Sequence, residues 1–199
     1  VKATQGAIGW DTQKELLEHT QTLLPDHAHV MLTGDRFYGT PALIAFCQQA
    51  KWSYRIRLKG NLTLQHQGGE LTTAEIAKYF PRGILDAQLC KQGIHTHIGI
   101  LHEPGHKEPW IIAMDTQPCR TTTLDYGSRW GIEAMFSDFK SRGFGLMQSQ
   151  IQRPERMEKL VLILSLALYW AVSCGMFSQQ HEAMARALKK GGLRKLRAQ

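Results

Sequence analysis

Four polar residues in the stretch from Asp125 to Lys140 have the types and spacing to work on a phosphodiester: Tyr126, Arg129, Glu133 and Lys140. Read as one helix, the chain turns about 100° per residue. With Tyr126 at zero, Arg129 falls roughly at −60°, Glu133 at −20° and Lys140 at −40° on the helical wheel. A phenol, a guanidinium, a carboxylate and an ammonium then share one narrow face. Ile132, Met135, Phe136 and Phe139 fall on the adjoining arc, which is built to pack. A lone carboxylate among cations suits a divalent metal acting on a phosphodiester. The carboxylate binds Mg²⁺ through oxygen, and the cations and the phenol hold phosphates of the same strand. The same spacing also serves an amphipathic helix with ordinary i,i+4 ion pairs, so the rest of the chain has to decide.

A second carboxylate is placed by the elements around it. Residues 11–24 read as a helix, with Leu16, Leu17, Thr20, Leu23 and Leu24 at helical spacing and Pro25 ending it. Ala28 to Thr33 is a short apolar run that reads as a buried strand. Residues 41–50 read as a second helix, with Pro41 in its first turn. From Trp52 to Leu58, Trp52, Tyr54, Ile56 and Leu58 alternate with Ser53, Arg55 and Arg57, the pattern of a half-exposed strand. Helix, strand, helix, strand in that order implies a parallel α/β unit. Asp35 lies just beyond the carboxyl end of the first strand, where such units hold ligands. An Asp there also serves as a turn or helix cap.

The next stretch differs in character. Leu62–Leu64, Gly93–Leu101 and Pro109–Met114 read as strands joined by Gly- and Pro-containing turns, with a short helix from Thr73 to Phe80. Trp110 reads as a core residue on the last strand. His95 and His97 alternate on a strand, near His102, His106 and Cys90, but without the spacing of a zinc site. Leu160 to Phe177 is almost wholly apolar. A helix apolar all round belongs at the centre of a layered domain, so a buried core helix is expected there; a membrane span is the alternative.

Composition bounds the partners. The chain has 199 residues, 43% of them hydrophobic and 21% charged, which is globular rather than disordered. A net charge of +7 favours a polyanion. Arg186, Lys189, Lys190, Arg194, Lys195 and Arg197 form a basic tail without an acid. The four cysteines form no C-x-x-C pair and read as reduced thiols, and a P-loop is absent, which argues against an NTPase.

Tyr126-x2-Arg129-x3-Glu133-x6-Lys140, with Trp130 after the Arg, resembles the Y-R-E-K signature of DDE transposases of the bacterial IS4 group. The Gly34-Asp35-Arg36-Phe37 run, and Arg57-Leu-Lys-Gly-Asn61 after the next strand, resemble that group again. The resemblance runs from about residue 10 to 61 and from about 108 to 175. It implies an α/β fold: a ribonuclease-H-like core, incomplete at the amino terminus, with a β-rich insertion before the Glu-bearing helix. On that reading residues 1–61 are a partial core, 62–115 the insertion, 116–180 the Glu-bearing helix and the buried core helix, and 181–199 the basic tail. The resemblance implies Asp35 and Glu133 as catalytic, metal-binding carboxylates. It assigns Tyr126, Arg129, Lys140 and Arg36 to DNA phosphates, and Mg²⁺ (with Mn²⁺ as a substitute) as cofactor. It implies DNA cleavage and strand transfer in transposition of an insertion sequence. The expected partners are transposon ends, target DNA and a second copy in a homodimeric synaptic complex, without a membrane, in the bacterial cytoplasm at the nucleoid. The family needs three carboxylates, and Asp11, Glu15, Glu18 and Asp26 lie on or beside the first helix rather than in a strand. The first catalytic Asp is therefore expected to be missing and the chain to be a fragment. The alternative is a catalytically inactive DNA-binding or dimerising remnant.

Overall fold

The computed structural model describes residues 8–66, 68–89, 93–105 and 107–196, and their side chains as far as Glu182, Arg142 apart. Cys90, His106 and the basic side chains of the tail lie outside the described residues. The chain divides into two compact units, residues 2–130 and 131–199.

The first unit is a mixed α/β layer. Helix α1 (Trp10–Leu23) leads to strand β1 (Met31–Gly34). Helix α2 (Pro41–Gln49) is capped by Thr40, whose hydroxyl accepts from the Leu43 N–H, with Pro41 pre-set for the first turn. Strand β2 (Ser53–Arg57) then lies parallel to β1, with Met31 opposite Ser53 and Gly34 opposite Ile56. This is the expected parallel unit. Beyond it come β3 (Thr63–His66), β4 (Gly69–Thr72), α3 (Thr73–Tyr79), β5 (Ile84–Leu89), β6 (Ile94–Leu101) and β7 (Trp110–Met114). Strands β4 and β5 are additions to the sequence reading. Their mix of Gly, Glu, Asp and Gln hides the period of two.

All seven strands form one sheet in the order β1-β2-β7-β6-β5-β3-β4. The strands of residues 62–115 therefore continue the sheet begun by β1 and β2, joined through the antiparallel pair β2–β7. Strand β7 is buried along its whole length because both faces are covered. Ile111 and Ala113 join Tyr54, Ile56, Leu58 and the α2 side chains Ile44 and Cys47 in one core. Trp110, Ile112 and Met114 face the other way and form a second core with Leu101 and Tyr126. That second face is covered by helix α4 (Arg120–Leu124) and the tight helical turn Asp125–Arg129.

The single helix expected from Tyr126 to Lys140 is divided. A 3₁₀ turn holds Asp125–Arg129, an α-helix α5 follows at Trp130–Ser137, and a wider π-type turn closes it at Asp138–Arg142. Gly127 and Ser128 are poor helix interiors, and the Ser128 hydroxyl donates to the Asp125 carbonyl, three residues back, which suits the tighter turn. The ideal wheel therefore does not describe this stretch.

The second unit consists of the rest of α5, the π-type turn, a short turn at Leu146–Gln148 and one long helix, α6 (Pro154–Leu196). Phe139 is buried and meets Phe144 edge-on at 6.0 Å. Ile132 and Phe136 are exposed. The apolar run of α6 differs from the expected buried helix. Leu164 is buried, but Leu166, Tyr169, Trp170 and Phe177 are exposed, Trp170 by 73%. A helix apolar on every side needs cover on every side, and this unit holds too little other structure to supply it. By length and composition the helix Pro154–Glu182, which contains an 18-residue window of mean hydropathy 2.1, is also apolar enough to cross a membrane.

Candidate active site

The site begins with the turn after β1. Backbone and side chain lock it: the Asp35 Oδ1 accepts from the Phe37 N–H at 2.8 Å, and the Asp35 carbonyl accepts from the Tyr38 N–H at 3.0 Å. One carboxylate oxygen is thus engaged in holding the turn. Gly39 then passes directly over β2. A Cβ there would lie under 3.0 Å from the Arg57 carbonyl oxygen, a backbone atom that cannot swing away. Only glycine allows this approach, and it sets the spacing between the Asp35 turn and the end of β2.

The other wall is placed by Arg55. Alternation along β2 predicts a half-exposed residue, yet Arg55 is only 3% exposed, because α4 and the 125–129 turn cover its face of the sheet. Its Nε donates to the Thr122 carbonyl at 2.9 Å. One terminal nitrogen donates to the Tyr54 carbonyl and to Asp115. The other donates to Thr116 Oγ1 at 3.0 Å and to Asp125 at 3.4 Å. All five N–H donors of the guanidinium are used. The network ties β2 to the segment that carries Tyr126 and Arg129. Burial pushes the Asp115 carboxyl up, but hydrogen bonds from Ser53 and Arg55, and the Arg55 charge, outweigh it and hold the group below the usual carboxylate range.

Tyr126 is 1% exposed, its ring edge-on to Trp110 at 5.3 Å and to Trp130 at 6.0 Å. Trp110 is buried in this aromatic group, with Trp130 at 5.0 Å, as a core residue should be. The Arg129 guanidinium stands over both partners, 5.8 Å from the Tyr126 ring and 5.5 Å from the Trp130 ring. Such stacking orients a guanidinium without neutralising it.

Between the two walls lies an open cavity of the first unit, lined by Asp35, Arg36, Arg57, Lys107, Glu108, Tyr126 and Arg129. Four predicted site residues, Asp35, Arg36, Tyr126 and Arg129, are brought together there although some ninety residues separate the two motifs. Arg57 and Lys107 add two cations the sequence reading did not assign. Arg57 belongs to the Arg-Leu-Lys-Gly-Asn run, so its signal was present. Arg36 pairs with Glu108 at 3.6 Å, both well exposed, a contact worth little in water. Glu133 lies on α5 and Lys140 on the π-type turn, both exposed and both in the second unit.

Two carboxylates, Asp35 and Glu108, among four cations, at the carboxyl end of a parallel strand pair, leave a net positive setting for a polyanionic ligand. A family model described as a transposase DDE domain matches residues 10–170. The chain belongs to the transposase DDE domain family. No curated protein matches the sequence. Membership carries DNA binding and DNA-cleaving, strand-transferring chemistry as the family activity, and such transposases generally work with divalent metal. Carboxylate oxygens of the kind Asp35 offers suit a hard cation of that sort. Among the described residues no group of three or more His, Cys, Asp or Glu stands close enough to hold a metal ion.

Proposed function

We propose that this chain is a portion of an IS4-type transposase that cleaves and transfers DNA strands during transposition of an insertion sequence. The observation that carries the reading is the cavity whose lining Asp35 shares with Arg36, Arg57 and Arg129, in a chain of the DDE family. Asp35 and Glu133 are the metal-binding carboxylates. Mg²⁺, or Mn²⁺ in its place, would polarise the phosphodiester and activate the attacking oxygen. Arg129, Arg36 and Lys140 hold phosphates of the transposon end, and Tyr126 contributes mainly by backing the Arg129 guanidinium. Tyr126, Arg129, Glu133 and Lys140 are the Y-R-E-K residues of this reading, and the core is of the ribonuclease-H type. The parent enzyme works as a homodimer on paired ends, at the bacterial nucleoid.

The carboxylates upstream of Asp35 support the view that the first catalytic Asp is not among the described residues. Asp11, Glu15 and Glu18 lie on α1, and Asp26 lies between α1 and β1. This favours a second reading for the chain alone, a DNA-binding remnant without chemistry. The test is a Mg²⁺ cleavage assay on transposon-end DNA run beside a binding assay, with the chain and with the intact parent. In the parent, Glu133→Gln should lower end cleavage by orders of magnitude while binding survives, because it removes the charge a metal needs and little else. Cutting at the parental rate by that variant would refute the assignment. Binding without cleavage by the chain alone selects the remnant.

A further inference from the structure

Glu108 is an acid in a cavity otherwise suited to phosphates. It lines the Asp35 cavity with Arg36, Arg57, Lys107 and Arg129, and borders the adjoining cavity with Arg36 and Arg57 again. Its carboxylate stands 3.6 Å from the Arg36 guanidinium, and the two side chains are 71% and 61% exposed. The backbone on both sides of this contact is held. Pro109 restricts the residue before it, and Trp110, which follows, is buried in the second core. Arg36 comes directly after Asp35 in the turn locked by the Phe37 and Tyr38 N–H groups. The fold thus presents an anion of its own to a cation that the transposase reading assigns to DNA phosphate.

A carboxylate and a phosphate make the same kind of forked contact with a guanidinium, so the two are alternatives for one edge of Arg36. The resident pair is easily exchanged. Its separation exceeds the roughly 2.7–2.9 Å of a close charge-assisted hydrogen bond, and exposed ion pairs are worth little in water. We propose that Glu108 competes with DNA phosphate for Arg36, so that a duplex gains this contact only by displacing the glutamate. This rests on the transposase reading of the cavity and adds to it a residue that sets its selectivity. A polyanion that does not reach Arg36 is untouched by Glu108. One that does reach it binds less tightly than the cations of the cavity would otherwise allow.

The test uses the full chain and a labelled blunt duplex of random sequence, titrated by fluorescence anisotropy over a range of salt concentrations. The proteins are wild type, Glu108→Gln, Arg36→Ala and the double variant. Glu108→Gln keeps the size of an exposed side chain and removes only its charge. It should tighten duplex binding by about fivefold, the upper end of what an exposed pair is worth. In wild type the displaced Glu108 takes up a cation while Arg36 releases one from the DNA, and the two nearly cancel. With Gln in place only the release remains, so the slope of log affinity against log salt should steepen by about one unit. Both effects should vanish in the Arg36→Ala background, because no cation is left to compete for. A gain that persists without Arg36 is a general effect of one fewer negative charge, and overturns the proposal. Unchanged affinity and slope in Glu108→Gln, with wild type binding the duplex, overturn this inference alone. Failure of the wild-type chain to bind the duplex even at low salt overturns the transposase reading as well.

Discussion

Arg55 is the residue whose loss the structure prices most clearly. Arg55→Ala removes five hydrogen bonds at once and leaves the Thr122 carbonyl and the Asp115 carboxylate without their partner in a site that is 3% exposed on the arginine side. Breaking a buried pair by deleting one member costs about 3–5 kcal/mol. Asp125 is discounted, because its side chain is 41% exposed and its contact is long. For a chain of this size each kcal/mol moves the melting temperature by about 2–4 °C, so a fall of about 6–20 °C is expected. The assay is thermal unfolding followed by circular dichroism, with a double-mutant cycle on Arg55→Ala and Asp115→Asn to isolate the pair. The pH dependence has a definite sign. The folded Asp115 pKa is depressed, so its contribution is complete above the unfolded value of about 3.9 and is lost as pH falls through the folded value. Asp115→Asn should therefore lose less stability than wild type on going below about pH 4. A melting temperature for Arg55→Ala within about 2 °C of wild type, or a cycle with no coupling, would refute the claim that this network anchors the 125–129 turn.

Three further outcomes can be checked. Gly39→Ala forces a methyl against the β2 backbone, so it should destabilise by about 1–3 kcal/mol in urea unfolding and weaken DNA binding through the displaced Asp35 turn. Arg129→Ala should reduce the slope of log affinity against log salt by about one unit, measured by salt-titrated DNA binding, since one fewer counterion is released. Burial, with the Asp115 charge adding to it, pushes the Cys47 thiol up to about 12. At Cys119 the Thr122 hydroxyl and N–H hold the exposed thiol below its usual value. Iodoacetamide near pH 8 should therefore modify Cys119 well before Cys47, as read by mass spectrometry.

The chain's local chemistry determined a good deal unaided. Pro41 after Thr40 marks the start of α2, and the alternation from Trp52 to Leu58 marks β2, because caps and side-chain periods are set within a few residues. Those two elements were enough to put Asp35 at the carboxyl end of a parallel strand. The Asp35 and Arg129 motifs could likewise be named from residue type and spacing. Burial was decided by the fold. Arg55 and Arg57 sit at equivalent points of the same alternation, yet Arg55 is buried and Arg57 half-buried, because the 125–129 turn covers the sheet over one of them. Tyr126 looked like a member of an exposed polar row and is instead a wall of the second core, since Trp110, whose ring it meets edge-on, comes from a strand that local pattern cannot bring to it. The apolar run of α6 carries the mirror lesson. Its composition asks for burial, but a helix is covered only by what packs on it, and that is a property of the tertiary structure rather than of the eighteen residues themselves.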